Sequence, residues 1–296
     1  MAERISTYTN DGHTFDVIDD GPLDGTPVVL LHGFPQTALE WSRVAPFLHD
    51  RGYRTIAPTQ RGYSPGARPR GRYAYRMSAL VGDATALIAA IGAGPVHLVG
   101  HDWGSAVAWS TATRHPNLVR TLTSVSAPHP MAFMRSMVTS SQAARSFYMA
   151  LFQVPWIPEV VISRAFAATA RPDVRRRALE MSQLDGEQFD RINRDVVQSG
   201  ALKYALNWYR AMLITTPGGA AKTVSAPTTH VWSTRDSALV RKGADLTAEY
   251  ATGPYRLEIL DATHWIPEER PAELADIIAA RVDGSDRVSG VPPVHE

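Results

Sequence analysis

The sequence predicts an α/β protein in which helices cover both faces of a mostly parallel sheet. Short apolar stretches alternate with helical patterns over Pro27–Val125 and again over Thr228–Val282, as in strand–helix–strand units. Between these regions, Met131 to about Leu213 has helical periodicity and no clear strand, and it is too long to be a simple connection. A glycine-bounded turn at residues 100–104 joins an apolar run to an Ala-rich helical stretch. We therefore expect a sheet domain with a helical insertion.

The composition is that of an ordinary globular protein and excludes several kinds of function. Of 296 residues, 44% are hydrophobic and 20% charged, and the net charge of +1 gives no reason to expect nucleic acid or an anionic membrane as partner. The absence of cysteine excludes disulfides, thiolate catalysis and cysteine-based zinc sites. No apolar run reaches the roughly 18 residues of a membrane span, and the first residues lack an apolar signal core. We expect a cytoplasmic protein.

The elements before the turn follow from their residue patterns. Phe15–Asp19 alternates apolar and polar residues, which is typical of an antiparallel strand with one solvated face. Pro27–Leu31 is continuously apolar, as in strands buried on both faces. A further short strand is predicted at Arg54–Ala57, and helices are predicted at Glu40–Leu48 and Ser78–Ile91.

The elements after the turn complete the alternation. The sequence predicts a helix at Ala106–Thr113, strands at Leu122–Val125, Thr228–Trp232 and Tyr255–Leu260, and a final helix at Glu273–Val282. Residues 1–128 and 218–296 are predicted to form the sheet domain, and residues 129–217 a helical cap. The Gly-, Ser- and Pro-rich end, 284–296, is predicted to be a flexible tail.

The turn at residues 100–104 reads Gly-His-Asp-Trp-Gly and has Asp102 at its centre. This is the strand–turn–helix pattern of a nucleophile elbow, with Asp where Ser is usual. A β-carbon at either glycine would obstruct the close approach of strand and helix. The N–H groups of the following helix are expected to face negative charge that develops at Asp102. On this motif alone, an Asp that merely caps the helix remains an alternative.

An ester formed on a carboxylate must be cleaved by water, which requires a general base. Among the ten histidines, His264 follows the last predicted strand, at the edge where parallel sheets bind ligands. Asp236 follows the preceding strand and is placed to orient this histidine. The chain order Asp102, Asp236, His264 is the nucleophile–acid–base order of hydrolases with such an elbow. Taken singly, Asp236 could be a helix cap and His264 an ordinary loop residue.

The other histidines near the turn are less well placed. His97 and His230 lie inside predicted strands and are expected in the core. His32, His101 and His129 lie near the predicted site but have no partner acid at a strand end. The spacing of His97 and His101 spans a strand and a turn instead of one helix face, so it does not predict a metal site. Neither a metal nor an organic cofactor is expected.

Over essentially its whole length, the chain resembles the α/β-hydrolases of the epoxide hydrolase family. His32-Gly33-Phe34-Pro35 matches the family's H-G-x-P motif, and Gly100–Ser105 matches its nucleophile motif. The resemblance implies an α/β-hydrolase fold with a helical cap. It also implies that the backbone N–H groups of Phe34 and Trp103 form an oxyanion hole.

The resemblance further implies two cap tyrosines that hydrogen-bond and protonate an epoxide oxygen. The segments Phe147–Gln153 and Leu206–Arg210 resemble those that carry them, which assigns Tyr148 and Tyr209. Periodicity alone would favour ordinary cap aromatics at both positions. The chain departs from the family at Gln60, where an acid is frequent, and we expect this difference to be peripheral to the chemistry.

Apolar side chains in the cap predict a pocket for an apolar aliphatic or aryl epoxide. The residues expected to line it are Phe34, Trp103, Met134, Phe152 and Trp156, although most could equally pack the cap against the sheet domain. The expected partners are a small epoxide and water, with no nucleic acid and no membrane span. Whether the chain is a monomer or a homodimer is left open.

The predicted reaction is hydrolysis of an epoxide to a vicinal diol, through an ester on Asp102 that is cleaved by water activated by His264. A haloalkane dehalogenase would use the same nucleophile and base, but Phe34 lacks the side-chain N–H that a departing halide needs. An esterase is disfavoured because the elbow has no Ser, Cys or Thr at its centre. A non-catalytic ligand-binding relative would be expected to lose part of the triad.

Overall fold

The structure, a computed structural model, describes residues 3–214 and 223–284. Its strands, numbered in chain order, are β1 (Thr7–Asn10), β2 (His13–Asp20), β3 (Thr26–Leu31), β4 (Tyr53–Pro58), β5 (Val96–His101), β6 (Val119–Val125), β7 (Thr228–Ser233) and β8 (Tyr255–Leu260).

These strands form an eight-stranded sheet in the order β1-β2-β4-β3-β5-β6-β7-β8. The β1–β2 and β2–β4 pairs are antiparallel, and every other neighbouring pair in this sheet is parallel. In register, Leu31 of β3 lies beside Gly100 of β5, and His101 of β5 lies beside Val125 of β6. The carboxyl ends of these strands therefore meet at one edge. The predicted α/β-hydrolase fold, with its mostly parallel sheet and flanking helices, is confirmed.

The α-helices are α1 (Ala45–His49), α2 (Met77–Ile91), α3 (Trp103–Arg114), α4 (Pro130–Thr139), α5 (Gln142–Arg145), α6 (Phe147–Leu151), α7 (Ile157–Ala168), α8 (Pro172–Ser182), α9 (Gly186–Ile192), α10 (Leu202–Ala205), α11 (Asn207–Ala211), α12 (Arg241–Thr247), α13 (Ile266–Glu269) and α14 (Pro271–Val282). A π-helical turn at Asn193–Gln198 follows α9. Short 3₁₀ helices occur at Ala38–Arg43, Arg72–Tyr75, Pro116–Leu118, Met212–Ile214 and Ala248–Tyr250.

The sheet has a buried apolar layer on each face. On one face, Leu87 of α2 and Trp109 of α3 pack in a cluster with the strands. On the other face, Ile278 of α14 packs in a second cluster with Trp41 and with strand residues such as Leu30. Each fully buried side chain of this kind contributes about 1.5–3 kcal/mol. Burial on both faces explains why β3 reads as a continuous apolar run.

Between β6 and β7 the described residues 130–214 form helices, and we call this segment the cap. Its first helix, α4, has His129 as its N-cap. The predicted end of the cap at residue 217 lies outside the described residues, as does the predicted tail from residue 285 onward. The division into two domains stays a prediction. No helix within 3–214 or 223–284 is long and apolar enough to cross a membrane.

One predicted helix differs from the structure, and some short elements were not predicted. The helix predicted at Glu40–Leu48 is divided into a 3₁₀ helix and α1, with Pro46 in the first turn of α1. Proline has no N–H to donate to the preceding turn, so a single α-helix cannot run through this position. Strand β1 and helix α12 were not predicted, since each is short and neither carries a long periodic pattern.

Candidate active site

Asp102 lies in a strained turn between β5 and α3. Its backbone has φ 50° and ψ −117°, a conformation that non-glycine residues rarely adopt. Gly100 and Gly104 make the turn possible, because a β-carbon at Gly100 would lie 2.3 Å from the Gly104 carbonyl oxygen. A β-carbon at Gly104 would lie 2.1 Å from the carbonyl oxygen of Leu31 in β3. The strand–turn–helix geometry predicted around Asp102 is therefore present.

The Gly104→Ala substitution is expected to lower the free energy of unfolding by more than about 2 kcal/mol, because the backbone carbonyl of Leu31 cannot yield as a side chain would. Urea unfolding followed by circular dichroism measures the change. Gly186→Ala is the control, since its β-carbon would meet only the flexible end of Arg175, at 3.5 Å. Equal stability of the two variants would contradict the close packing of the turn against β3.

The loop after β3 faces Asp102 from the other side. The Phe34 N–H donates to Asp102 Oδ1 at 2.8 Å. Gly33 permits this approach, because a β-carbon there would lie 2.5 Å from the Asp102 β-carbon. Trp103 is the first residue of α3, so its N–H has no acceptor within the helix. The Phe34 N–H therefore contacts the Asp102 carboxylate, whereas the Trp103 N–H is the first backbone donor after Asp102 in the chain.

His264 and Asp236 follow β8 and β7 and complete the constellation. His264 Nδ1 donates to Asp236 Oδ2 at 2.9 Å, and His264 Nε2 lies 3.6 Å from Asp102 Oδ2. The second oxygen of Asp236 accepts the N–H groups of Ala238 and Leu239, each at 2.8 Å. This fixes the Asp236 carboxylate and directs the Nε2 atom of His264 towards Asp102. The structure brings together the three residues predicted as nucleophile, acid and base.

The charges of the site shift the pKa values of Asp102 and His264 in opposite directions. Burial by itself raises the pKa of Asp102, but interactions with His264, His101 and the Phe34 N–H outweigh it and lower the pKa. Burial by itself lowers the pKa of His264, but the carboxylates of Asp236 and Asp102 raise it well above its ordinary value. Asp102 is therefore ionised in the free protein, and His264 is stabilised as an imidazolium between two carboxylates.

Tyr148 of α6 and Tyr209 of α11 belong to an aromatic cluster beside Asp102. Tyr209 lies edge-on to Trp103 and Phe34, with ring centroids 5.1 and 5.2 Å apart. Tyr148 lies 6.1 Å from the Tyr209 ring, and Phe152 packs against both tyrosines. The structure thus brings the two predicted tyrosines together, and they border residues on both sides of Asp102.

Both phenols keep their protons at neutral pH. Burial, the Tyr148 phenol and the negative charge of Asp102 raise the pKa of Tyr209 well above its ordinary value. A hydrogen bond with Trp103 lowers this pKa, but its effect is smaller. Burial and, to a smaller extent, the charge of Asp102 also raise the pKa of Tyr148, whereas a hydrogen bond with Tyr209 lowers it. Asp102 is therefore close enough to both phenols to affect their ionisation. Two proton donors and one ionised carboxylate share the site.

Comparison with known proteins assigns the chain to a family. Residues 26–271 match the family described as alpha/beta hydrolase fold. The chain is 32% identical to Epoxide hydrolase A of Mycobacterium tuberculosis, in an alignment that covers 87% of this chain and 90% of the relative. The chain belongs to the epoxide hydrolase family of α/β-hydrolases. Its identity with the AB hydrolase superfamily protein YfhM of Bacillus subtilis is also 32%, over 93% of this chain and 96% of the relative.

The solved structures give the same assignment. The crystal structure of Epoxide Hydrolase A from Mycobacterium thermoresistibile matches with a TM-score of 0.79 and 28% sequence identity. The match covers 94% of this chain and 97% of that one. The resemblance to the epoxide hydrolase family inferred from the two motifs is confirmed.

Two residues predicted to line the pocket of this epoxide hydrolase family member are largely exposed. Trp156 is 79% exposed and borders a surface cavity of about 380 Å³, whose lining consists mainly of polar and charged residues and contains none of the triad. It is the residue before α7 and has φ 64°, which turns it outward at the helix end. Met134 of α4 is 55% exposed. Phe152, in contrast, packs against Phe34 and both tyrosines.

Glu40 is a buried acid beside the site that the sequence does not predict. His101 Nδ1 lies 2.6 Å from Glu40 Oε1, and His101 Nε2 donates to the His264 carbonyl at 2.9 Å. Ser126 Oγ donates to the same carbonyl at 3.0 Å. Both ring nitrogens of His101 thus face acceptor atoms, a carboxylate oxygen on one side and a backbone carbonyl oxygen on the other. We expected His101 to lack a partner acid at a strand end; its partner lies in a 3₁₀ helix instead.

Gln60 is less peripheral than predicted. Its backbone N–H donates to His32 Nε2 at 3.0 Å, and its side-chain amide donates to the His32 carbonyl at 2.6 Å. Burial lowers the pKa of His32 to about 4, so this ring is neutral and can accept that bond. Gln60 therefore holds the start of the loop that carries Phe34. The amide can donate to the carbonyl, which an ionised acid at this position could not do.

Two further histidines lie inside strands and take no part in the triad. His97 and His230 are buried in β5 and β7, as predicted, and burial lowers the pKa of each to about 4. Among residues 3–214 and 223–284, no group of three or more His, Asp or Glu side chains is arranged to hold a metal ion.

Proposed function

We propose that this chain hydrolyses an epoxide to a vicinal diol. The observation that carries the proposal is an ionised Asp at the elbow that shares one site with two protonated tyrosines. An epoxide is a poor electrophile until its oxygen accepts a hydrogen bond or a proton, so an anion and acids in one site suit ring opening. The names of the relatives at 32% and 28% identity support the same reaction.

In the first step, an Asp102 oxygen attacks an epoxide carbon and the ring carbon–oxygen bond breaks. The electron pair of that bond goes to the epoxide oxygen, which takes a proton from Tyr148 or Tyr209. The products are a hydroxyalkyl ester on Asp102 and a tyrosinate, which is reprotonated as the His264 imidazolium loses its proton. The lowered pKa of Asp102 keeps the nucleophile ionised, and the raised pKa values of the tyrosines keep the acids protonated.

In the second step, water attacks the ester carbonyl carbon. His264 Nε2, which gave up its proton after the first step, takes a proton from that water, and Asp236 stabilises the imidazolium that forms. The tetrahedral intermediate then collapses: the bond between the carbonyl carbon and the alkyl oxygen breaks, and the alkyl oxygen takes the proton from His264 as the diol leaves. The carboxyl group left on Asp102 passes its proton to His264, which restores the starting state. Ester formation itself prepares this base: it removes the Asp102 charge, which is one of the causes that raise the pKa of His264. The pKa of His264 is thus lower in the ester than in the free protein.

The tetrahedral oxyanion of the second step develops beside the Phe34 N–H, which already donates to Asp102 Oδ1 at 2.8 Å. The Trp103 N–H at the start of α3 is the second donor that we propose. Removing one such donor from a comparable site costs about 3–4 kcal/mol of transition-state stabilisation. The steps use only groups of this chain and water.

The substrate is proposed to be a small apolar epoxide, because the groups around Asp102 are aromatic. Phe34, Trp103 and Phe152 pack around the tyrosine pair and offer ring faces and edges to an apolar substituent. A cytoplasmic location, and a monomeric or homodimeric state, stay predictions from the sequence.

Replacing either tyrosine with phenylalanine is expected to slow ester formation by about 10²-fold, since each variant loses one proton donor. Ester decay should change little, because His264 and Asp236 are intact. Stopped-flow tryptophan fluorescence measures formation, and Tyr73→Phe serves as control because that side chain is 65% exposed. If Tyr148→Phe and Tyr209→Phe both form the ester at the wild-type rate, the phenols are only packing residues.

Turnover of styrene oxide, measured beside bromide release from 1-bromobutane, tests the proposed function. We expect diol and no bromide, since Phe34 offers no side-chain donor to a departing halide. Bromide without diol would identify a dehalogenase instead and would overturn the proposal.

A further inference from the structure

The nucleophile and the acid–base pair are held by different parts of the molecule. The Asp102 N–H donates to the Val125 carbonyl at 3.2 Å, and the Asp102 carbonyl accepts the Ala106 N–H at 3.2 Å. These partners belong to the sheet and α3. Asp236 and His264 lie in loops after β7 and β8, and helices of the cap make hydrogen bonds to both loops.

Helix α5 holds the loop that carries the acid. Gln142 is 1% exposed, and its amide nitrogen donates to the Ala238 carbonyl at 2.7 Å. Its amide oxygen accepts the Val240 N–H at 2.9 Å. Arg145 donates to the carbonyl of Asp236 itself at 2.6 Å. Side chains of the cap thereby bind backbone groups at both ends of the turn 236–240.

Helices α8 and α9 hold the segment that carries the base. The indole N–H of Trp265 donates to the Ser182 carbonyl at 2.8 Å, and the Trp265 ring lies 5.2 Å from the His264 ring. Arg191 of α9 donates to Glu268 Oε1 at 3.0 Å, and both side chains are buried. Since Trp265 and Glu268 lie one and four residues after His264, the cap is attached at two points to the segment that follows the base.

We propose that the cap positions the acid–base pair for hydrolysis of the ester: Gln142 fixes the acid loop and Arg191 fixes the base segment. Gln142 and Arg191 are positioning residues, because they act through the loops and do not reach Asp102. The inference rests on the proposed two-step reaction. Ester formation uses Asp102, whose backbone is bound to the sheet, and two tyrosines on α6 and α11, which are not the cap helices that hold the two loops. Ester decay requires His264 Nε2 to be aimed at a water. Loosening the cap contacts should therefore slow decay selectively.

Single-turnover kinetics with styrene oxide, quenched and read by intact-protein mass spectrometry, test the proposal. For Arg191→Met and for Gln142→Leu we expect ester decay to slow about tenfold, with ester formation within about threefold of wild type, since a small misplacement of a catalytic group has a large effect on rate. Arg191→Lys should restore part of the decay rate, because a lysine can still donate to Glu268. Arg194→Met is the matched control: Arg194 follows α9, is exposed and pairs with the adjacent Asp195.

Equal slowing of formation and decay, or unchanged rates in both variants, would overturn the proposal. If Arg191→Met fails to fold, Trp265→Phe takes its place, because it keeps an aromatic ring and loses only the bond to Ser182. The same measurement separates this inference from the proposed function. Absence of any ester in the wild-type protein would overturn the two-step reaction, whereas an ester with an unchanged formation-to-decay ratio in the variants would overturn only the role of the cap.

Discussion

Replacing Asp102 with alanine is expected to lower kcat/KM for epoxide hydrolysis by about 10⁴-fold or more, because no other group can form the ester. The carboxylate is ionised, faces the Phe34 N–H at 2.8 Å and lies within reach of His264. Diol formation from styrene oxide at saturating and subsaturating concentrations measures the loss.

The control for this variant is Asp173→Ala, which removes an exposed carboxylate from the cap surface, away from the triad. Asp102→Asn provides a second test, because Asn tolerates positive φ better than Ala and should preserve the turn. Retention of more than about a tenth of wild-type turnover by both Asp102 variants would contradict the assignment of the nucleophile, since loss of a nucleophile costs far more.

Replacing His264 with glutamine is expected to trap the ester. Ester formation needs Asp102 and the tyrosines, which remain, whereas decay needs a base at Nε2, which glutamine cannot supply. Steady-state turnover should fall by about 10²- to 10⁴-fold while the mass of the protein increases by that of the epoxide. Intact-mass measurement followed by peptide mapping locates the adduct.

The trapped adduct should map to the peptide that contains Asp102. His115→Gln is the control, because this histidine lies at the C-terminal end of α3, away from the triad. If His264→Gln loses turnover and yet gains no mass, the histidine acts before ester formation and the order of the steps is wrong.

The elements that carry the nucleophile could be predicted because their signals are local. A continuous apolar run marks β5, two glycines mark the turn, and the helix follows at once. The positions of Asp236 and His264 could be predicted from local signals too, since each residue follows a strand with a clear apolar pattern. At these positions the local sequence and the sheet topology favour the same structure.

The supporting residues could not be predicted because their partners are distant in the chain. Glu40 and His101 are separated by 61 residues, Arg191 and Glu268 by 77, and Gln142 and Val240 by 98. A buried carboxylate needs a partner, but nothing near Glu40 in the sequence indicates that it is buried.

Trp156 is a hydrophobic residue whose exposure could not be predicted from the sequence. An apolar side chain in a cap is expected to be buried, yet the backbone turn before α7 exposes it. The hydrophobic character of a residue predicts burial only where its helix or strand packs against another helix or strand.

One labelling measurement tests the covalent mechanism most directly. In a single turnover in H₂¹⁸O with protein in excess over styrene oxide, the oxygen delivered to the diol comes from Asp102, and water attacks the ester carbonyl. We therefore predict an unlabelled diol and one ¹⁸O atom in the Asp102 peptide. A diol that contains ¹⁸O, with no label in Asp102, would mean that water attacks the epoxide directly and would contradict the ester on Asp102.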